Sequence, residues 1–330
     1  MASQRRNTRL TPASYDMVAA AAKCIRAGGL VAMPTETVYG LAADATSDAA
    51  VAAIYAAKDR PAFNPLIVHV LDIESAREHA AFGPEAECLA QAYWPGPLTL
   101  VAPAAPACRI SLLARAGLNT VAIRAPSHAT ARALIKASGV PLAAPSANRS
   151  GHVSPTLAAH VLADLDGEID WILDAGPTGH GLESTIVGCF AEGPVLLRPG
   201  AIPREAIESA LQAPLGDGRA LRVRAIAPGR LPSHYAPRAK LRLGATAAAS
   251  HEAALDFGET LAKSPAHPRL DLSPRGDLVE AAAHLFAHLR ALDAAGATHI
   301  AVAPIPQHGL GEAINDRLRR AAAPRDGKDL

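Results

Sequence analysis

Apolar residues recur at helical spacing from Ser14 to Ala27, with Ser14 placed to cap the first turn, and the pattern stops at Gly28-Gly29. Leu30 to Met33 is a short, wholly apolar run closed by Pro34, which predicts a buried strand ending just before the polar triplet Thr35-Glu36-Thr37. Gly40 then allows a turn or a close approach before Leu41 re-enters the core. The same alternation continues along the chain. A helix is predicted from Asp48, as its cap, to about Lys58, a strand over Leu66 to Val70, and a helix over Ala86 to Tyr93. Beyond the rigid turn Trp94-Pro95-Gly96-Pro97, a strand covers Leu98 to Ala102. In Asn119 to Arg124, Thr120, Ala122 and Arg124 share one face while Val121 and Ile123 share the other. A helix (His128 to Ser138), four strands (Leu142 to Ala144, Trp171 to Leu173, Ser184 to Gly188, Val195 to Arg198) and a helix from Pro203 to about Leu211 complete a first α/β unit.

A shift in composition follows. From Gly218 to Ser250 the chain carries seven basic residues and no acidic one, interrupted by Pro228, Gly229, Pro232 and Pro237. Residues 213–238 therefore read as a basic linker between a first domain, 1–212, and a smaller second α/β domain, 239–330. In the second, a strand is predicted at Leu241 to Leu243, helices at about Ala247 to Leu261 and Leu278 to Ala294, a strand at Ile300 to Ala303 and a helix at Leu310 to Ala322.

Composition narrows the function classes. The 330 residues are 49% hydrophobic but only 4% aromatic, so the core must be built from Ala, Val, Leu and Ile. A net charge of +1 gives no whole-chain field for non-specific nucleic-acid binding, and any RNA contact would be local. Cys24, Cys88, Cys108 and Cys189 are scattered without a C-x-x-C pair, as expected of reduced thiols in a cytoplasmic protein. Arg5, Arg6 and Arg9 precede no apolar segment, so a secretory leader is not expected, and an organelle-targeting reading stays open. No apolar stretch is long enough to span a bilayer.

The common phosphate-loop, dinucleotide, nucleophile-elbow and zinc-helix motifs are absent. His284 and His288 lie four apart on a helix with no third ligand in view, which reads as a solvated or core pair. What remains is a set of polar residues at strand ends. Thr35 could line a ligand site or an ordinary turn. Lys58 and Arg60, with Asn64, suit a polyphosphate, although cations in a last helical turn also complement its dipole. Arg124 offers a fork for a carboxylate beside the Thr120 hydroxyl, or else forms a structural ion pair. Ser154-Pro155 resembles a helix cap that could also meet an anion, Ser146 and Asn148 could be turn formers, and His69 lies within an apolar run as a core histidine would.

In order along the chain, P-T-E-T-V-Y-G-L (34–41), K-D-R-P-A-F-N-P-L-I-V-H (58–69), W-P-G-P-L-T-L (94–100), T-V-A-I-R (120–124), A-P-S-A-N (144–148), S-P-T (154–156), E-S-T-I (183–186) and L-L-R-P-G (196–200) resemble the Sua5/YrdC/YciO family. S-H-Y-A-P (233–237) and G-L-G-E-A-I-N-D-R-L (309–318) resemble its longer, two-domain Sua5 form. The match is weakest between Ala245 and Pro274. The resemblance implies a twisted open sheet with helices, followed by a Rossmann-like Sua5 domain. It implies conversion of L-threonine, bicarbonate and ATP to L-threonylcarbamoyladenylate and pyrophosphate, with a magnesium ion accompanying ATP. The product would pass to a separate complex that modifies adenosine 37 of tRNA. By motif matching, Thr35, His69, Arg124, Ser146 and Ser184 would surround threonine. Lys58, Arg60, Asn64, Thr120, Asn148, Ser154 and Arg198 would hold ATP, with His234 and Tyr235 of the linker closing over it. The resemblance leaves two alternatives. One is an RNA-binding module with a basic cavity; the other is a related carbamoyl-adenylate domain of hydrogenase maturation, whose usual zinc-finger motifs are missing here.

Overall fold

The structure is a computed structural model that describes residues 5–61, 64–218 and 234–324. In chain order the first unit contains β1 (Arg9–Pro12), α1 (Tyr15–Arg26), β2 (Val31–Met33), β3 (Gly40–Asp44), α2 (Asp48–Lys58), β4 (Ile67–His69), α3 (Ile73–Arg77), α4 (Pro84–Tyr93) and β5 (Leu98–Pro103). It continues through β6 (Thr120–Arg124), α5 (Ala129–Ser138), β7 (Leu142–Ala143), α6 (Ala158–Leu165), β8 (Trp171–Asp174), β9 (Thr185–Phe190), β10 (Gly193–Arg198), α7 (Arg204–Leu211) and β11 (Gly216–Asp217). These strands form one mixed sheet in the order β1-β8-β2-β3-β7-β4-β6-β5-β9-β10-β11. The second unit contains β12 (Lys240–Leu243), β13 (Ala253–Asp256), β14 (Arg269–Asp271), α8 (Leu278–Ala294), β15 (His299–Val302) and α9 (Leu310–Ala321). Its sheet, β12-β15-β13-β14, is parallel throughout.

Local chemistry explains most element starts. The Ser14 hydroxyl accepts the Met17 N–H and begins α1. Helix α2 is capped by Ser47, whose side chain accepts the Ala50 N–H, and not by Asp48. The Asp48 carboxylate instead takes the Ser111 hydroxyl. The sequence pattern of β6 holds: Val121 and Ile123 enter one apolar cluster and Ala122 another. Gly40 opens β3, which pairs antiparallel with β2, so the polar triplet connects two neighbouring strands. A Cβ at Gly40 would stand 3.3 Å from that of Ala144, which accounts for glycine there. The four cysteines are free thiols.

Two further sequence expectations fail. The stretch 247–261 is not one helix; it contains β13, whose four residues are all buried between β14 and β15. A parallel strand covered on both faces has no alternation, so its alanines imitate a helix. Nor does Ser154 cap a helix. Helix α6 starts at Ala158, while the backbone at Pro155 and Thr156 accepts N–H groups from Tyr39 and Thr178. The Ser154 hydroxyl is turned to Glu183. The Pro155 and Thr156 carbonyls and the Ser154 hydroxyl are thus engaged by distant residues before α6 begins.

The two units share apolar packing. Val38, Val153 and Leu182 of the first belong to the same cluster as Leu285, Phe286 and Leu289 of α8. Gly181 sits against α8 with φ of +65°, and a methyl group there would lie 2.6 Å from the Ala282 carbonyl oxygen and nearer that of Ala283. Gly181→Ala should therefore destabilise the folded chain by about 1–3 kcal/mol. Urea unfolding of the two proteins side by side measures this, and an unchanged midpoint would show that the contact gives way freely.

Candidate functional site

Residues from eight separated segments meet in one cleft. The connection between β2 and β3 brings Thr35, and β4 and β6 end on His69 and Arg124, which face each other in register. Ser146 follows β7, Ser184 precedes β9, and Arg198 ends β10. Arg60, beyond α2, completes the first unit's contribution, while His234 and Tyr235 come from the segment ahead of β12. Thus nine of the residues selected from sequence share one cleft. Lys58, Asn64, Asn148 and Ser154 lie outside its lining and support it. Lys58 Nζ donates to the carbonyl oxygens of Ser146, at 2.6 Å, and Asn148. Asn64 offers its carbonyl to Arg60 at 3.4 Å, the Asn148 amide bonds the Arg149 and His152 carbonyls, and Ser154 bonds Glu183. Thr120 is apart from these: it starts β6, opposite Pro103, at the far end of the strand from Arg124.

Arg124 forms the structural ion pair that one of its two sequence readings expected. Its Nε donates to the Gly96 carbonyl at 3.2 Å and its Nη1 to the Thr37 hydroxyl at 3.0 Å. Its Nη2 lies 2.7 Å from Glu36 Oε1 without the alignment of a hydrogen bond. Burial would raise the Glu36 carboxyl, but Arg124 outweighs it and holds the group at about 2. The Thr35 and Thr37 hydroxyls are 2.8 Å apart. Burial, assisted by Arg124, pushes His69 down to about 3, so its imidazole is neutral near pH 7, and its Nδ1 has no partner among the described residues.

Lys58, Arg60 and Arg198 are all buried, at 1%, 9% and 4% exposure, and their hydrogen bonds go to neutral oxygens. Arg60 Nη2 reaches the Asn64 and Pro65 carbonyls, and Arg198 reaches the carbonyl and hydroxyl of Ser184. Burial and the neighbouring Arg60 drive the Lys58 ammonium well below its ordinary range. Burial brings Arg60 down to about 10 and lowers Arg198, while burial and the surrounding cations keep His234 neutral. Withdrawing a cation from water without a counter-charge costs several kcal/mol. The arrangement suits a polyanion, with a guanidinium and hydroxyls alongside for a smaller polar molecule.

The sequence reading singled out neither Thr37, which orients Arg124, nor Glu183, though both stood in quoted polar triplets. Tyr235 has φ of +63°, a region that costs a bulky residue about 1–2 kcal/mol. Its ring stacks on Phe286 at 5.6 Å and meets the His234 ring edge-on at 4.1 Å.

Residues 23–200 match the family model Sua5_yciO_yrdC, described as telomere recombination. Residues 202–323 match Sua5_C, described as the C-terminal domain of threonylcarbamoyl-AMP synthase. The chain is 42% identical over 325 residues to the threonylcarbamoyl-AMP synthase of Bacillus subtilis (strain 168), covering 93% of each. It superposes on the crystal structure of P. abyssi Sua5 complexed with L-threonine with a TM-score of 0.85 and 37% identity, over 96% of this chain and 97% of that one. E. coli YciO, 20% identical with a TM-score of 0.51 over 61% of this chain, shares the fold of the first unit. By the order of its motifs, its two sheets and these matches, the chain belongs to the Sua5/YciO/YrdC family, in the two-domain form that carries the Sua5 C-terminal domain.

Proposed function

We propose that this chain condenses L-threonine, bicarbonate and ATP into L-threonylcarbamoyladenylate and pyrophosphate. The observation that carries the reading is the juxtaposition, in one cleft, of an oriented Arg124 with hydroxyls and of the buried Arg60 and Arg198, whose hydrogen bonds among the described residues go to neutral oxygens. Arg124, Thr35, His69, Ser146 and Ser184 would seat threonine, with the guanidinium opposite its carboxylate. Lys58, Arg60 and Arg198 would neutralise phosphate oxygens, and Asn64, Asn148 and Ser154 would hold the loops that present them. Thr120 enters this scheme only through its motif.

In the reaction, threonine's amine takes up carbon dioxide as a carbamate. A carbamate oxygen then attacks the α-phosphorus, and the bond to pyrophosphate breaks. This displacement needs alignment and charge neutralisation more than a covalent nucleophile. The cleft offers guanidinium groups and hydroxyls, which can donate hydrogen bonds to phosphate oxygens. Magnesium would arrive on the nucleotide, held by phosphate oxygens and water, and would neutralise charge there. His234 and Tyr235 would exclude water from the adenylate. The adenylate would pass to a separate enzyme complex that modifies adenosine 37 of tRNA. Arg60, Arg124 and Arg198 are buried in the cleft lining rather than spread over an outer surface, which suits a small molecule better than an RNA backbone; Arg219, Arg222, Arg224 and Arg230 of the linker fall outside the described residues. No helix among the described residues is long and apolar enough to cross a membrane.

Pyrophosphate release from ATP and bicarbonate should depend on threonine and fall at least tenfold with serine, because a buried cleft that contacts a methyl group discriminates by about that factor. Release that is indifferent to the amino acid would refute the reading. Lys58→Met should raise the KM for ATP at least tenfold while shifting the thermal midpoint by only a few degrees, since the ion it removes has no counter-charge. Unaltered ATP dependence would remove Lys58 from the site. Deleting residues 233–237 should abolish adenylate formation or uncouple it from ATP consumption; normal turnover would rule out a lid.

A further inference from the structure

Arg317 belongs to α9 in the second unit, yet its side chain is wholly buried against the cleft of the first. Its Nε donates to Glu183 Oε2 at 2.9 Å and its Nη1 to Asp316 Oδ2 at 2.8 Å. The other Glu183 oxygen accepts the Ser154 hydroxyl at 2.5 Å, and Glu183 lines the cleft one residue before Ser184. The same guanidinium stands 5.1 Å from the centre of the Tyr235 ring, within cation–π range. A planar, delocalised cation can bond a carboxylate at its edge and meet a ring with its face, which an ammonium cannot do as well.

The segment it meets does not hold its shape by local preference. Tyr235 is in the left-handed region, so contacts from outside must fix it there. Those contacts come from the second unit: Arg317 and Phe286 on the ring, and the Arg320 carbonyl, which accepts the His234 N–H at 3.3 Å. On the other side the Ala236 N–H is tied to the Gly151 carbonyl of the first unit at 2.9 Å.

We propose that Arg317 is a positioning residue that fastens the His234–Tyr235 segment over the cleft, its edge on Glu183 and its face on the Tyr235 ring. It thereby sets how well the adenylate is shielded from water. The inference rests on the synthase reading and gives the second unit a part in the reaction. Without the fastening, water cleaves the mixed anhydride. One water oxygen joins the adenylate, the bridging bond breaks, and AMP leaves together with the carbamate, which falls back to threonine and carbon dioxide.

The test compares the full-length chain with Arg317→Lys, Arg317→Gln and Phe286→Leu, the last loosening the Tyr235 ring without touching a charge. Two readouts are taken: AMP formed per pyrophosphate released, with ATP, bicarbonate and threonine, and hydrogen exchange at residues 234–236 without substrates. Amides of 234 and 236 should exchange roughly tenfold faster in each variant while those of β5 and β6 stay unchanged. AMP per pyrophosphate should rise toward one in the glutamine variant, with lysine intermediate. Folded variants with parent-like exchange and AMP yield overturn the proposal. So does exchange that rises uniformly through α8, α9 and the second sheet, which would make Arg317 a general structural support. If the parent chain releases no threonine-dependent pyrophosphate, the synthase reading fails, and the exchange data still decide whether Arg317 fastens the segment.

Discussion

Lys58, Arg60 and Arg198 are removed from water with only neutral oxygens around them, and the architecture of the first unit follows from that constraint. Each cation must find acceptors, and the acceptors it finds belong to loops far away in sequence. Lys58, at the end of α2, gathers the carbonyls that follow β7, while Arg198 at the end of β10 gathers the backbone entering β9. The cations thus organise the loops around the cleft and keep part of their own charge unanswered. A site of this kind is shaped before its ligand arrives, because its polar groups are already tied down and only the counter-charge is lacking.

Much of the first unit was legible because its strands are short, apolar and bounded by proline or glycine, and because β6 alternates cleanly. The residues gathered in the cleft were recognisable from strand-end placement and from the order of the motifs. The helix expected over 247–261 was not there, because composition cannot separate an alanine-rich buried strand from a helix when both faces are covered. Ser154 looked like a cap because Ser-Pro often is one; only the fold brings Glu183, 29 residues on, to its hydroxyl. Arg317 was illegible for the same reason on a larger scale, since its carboxylate partner is 134 residues away.

Glu36 and Glu183 show how one residue type serves two ends. Glu36 pairs with Arg124 at the end of β6, and Glu183 with an arginine delivered from the second unit. Burial opposes ionisation of both carboxyls, and the adjacent guanidinium prevails in each case. Two negative charges are thereby fixed beside a predominantly cationic cleft, each paired with an arginine, and Glu183 also acts on Arg198.

The apolar cluster that joins Val38, Val153 and Leu182 to helix α8 has a consequence for how the molecule comes apart. Neither half can melt while the other stays intact without presenting Phe286 or Leu182 to solvent. The apolar side chains buried across this junction therefore couple the stability of the two halves.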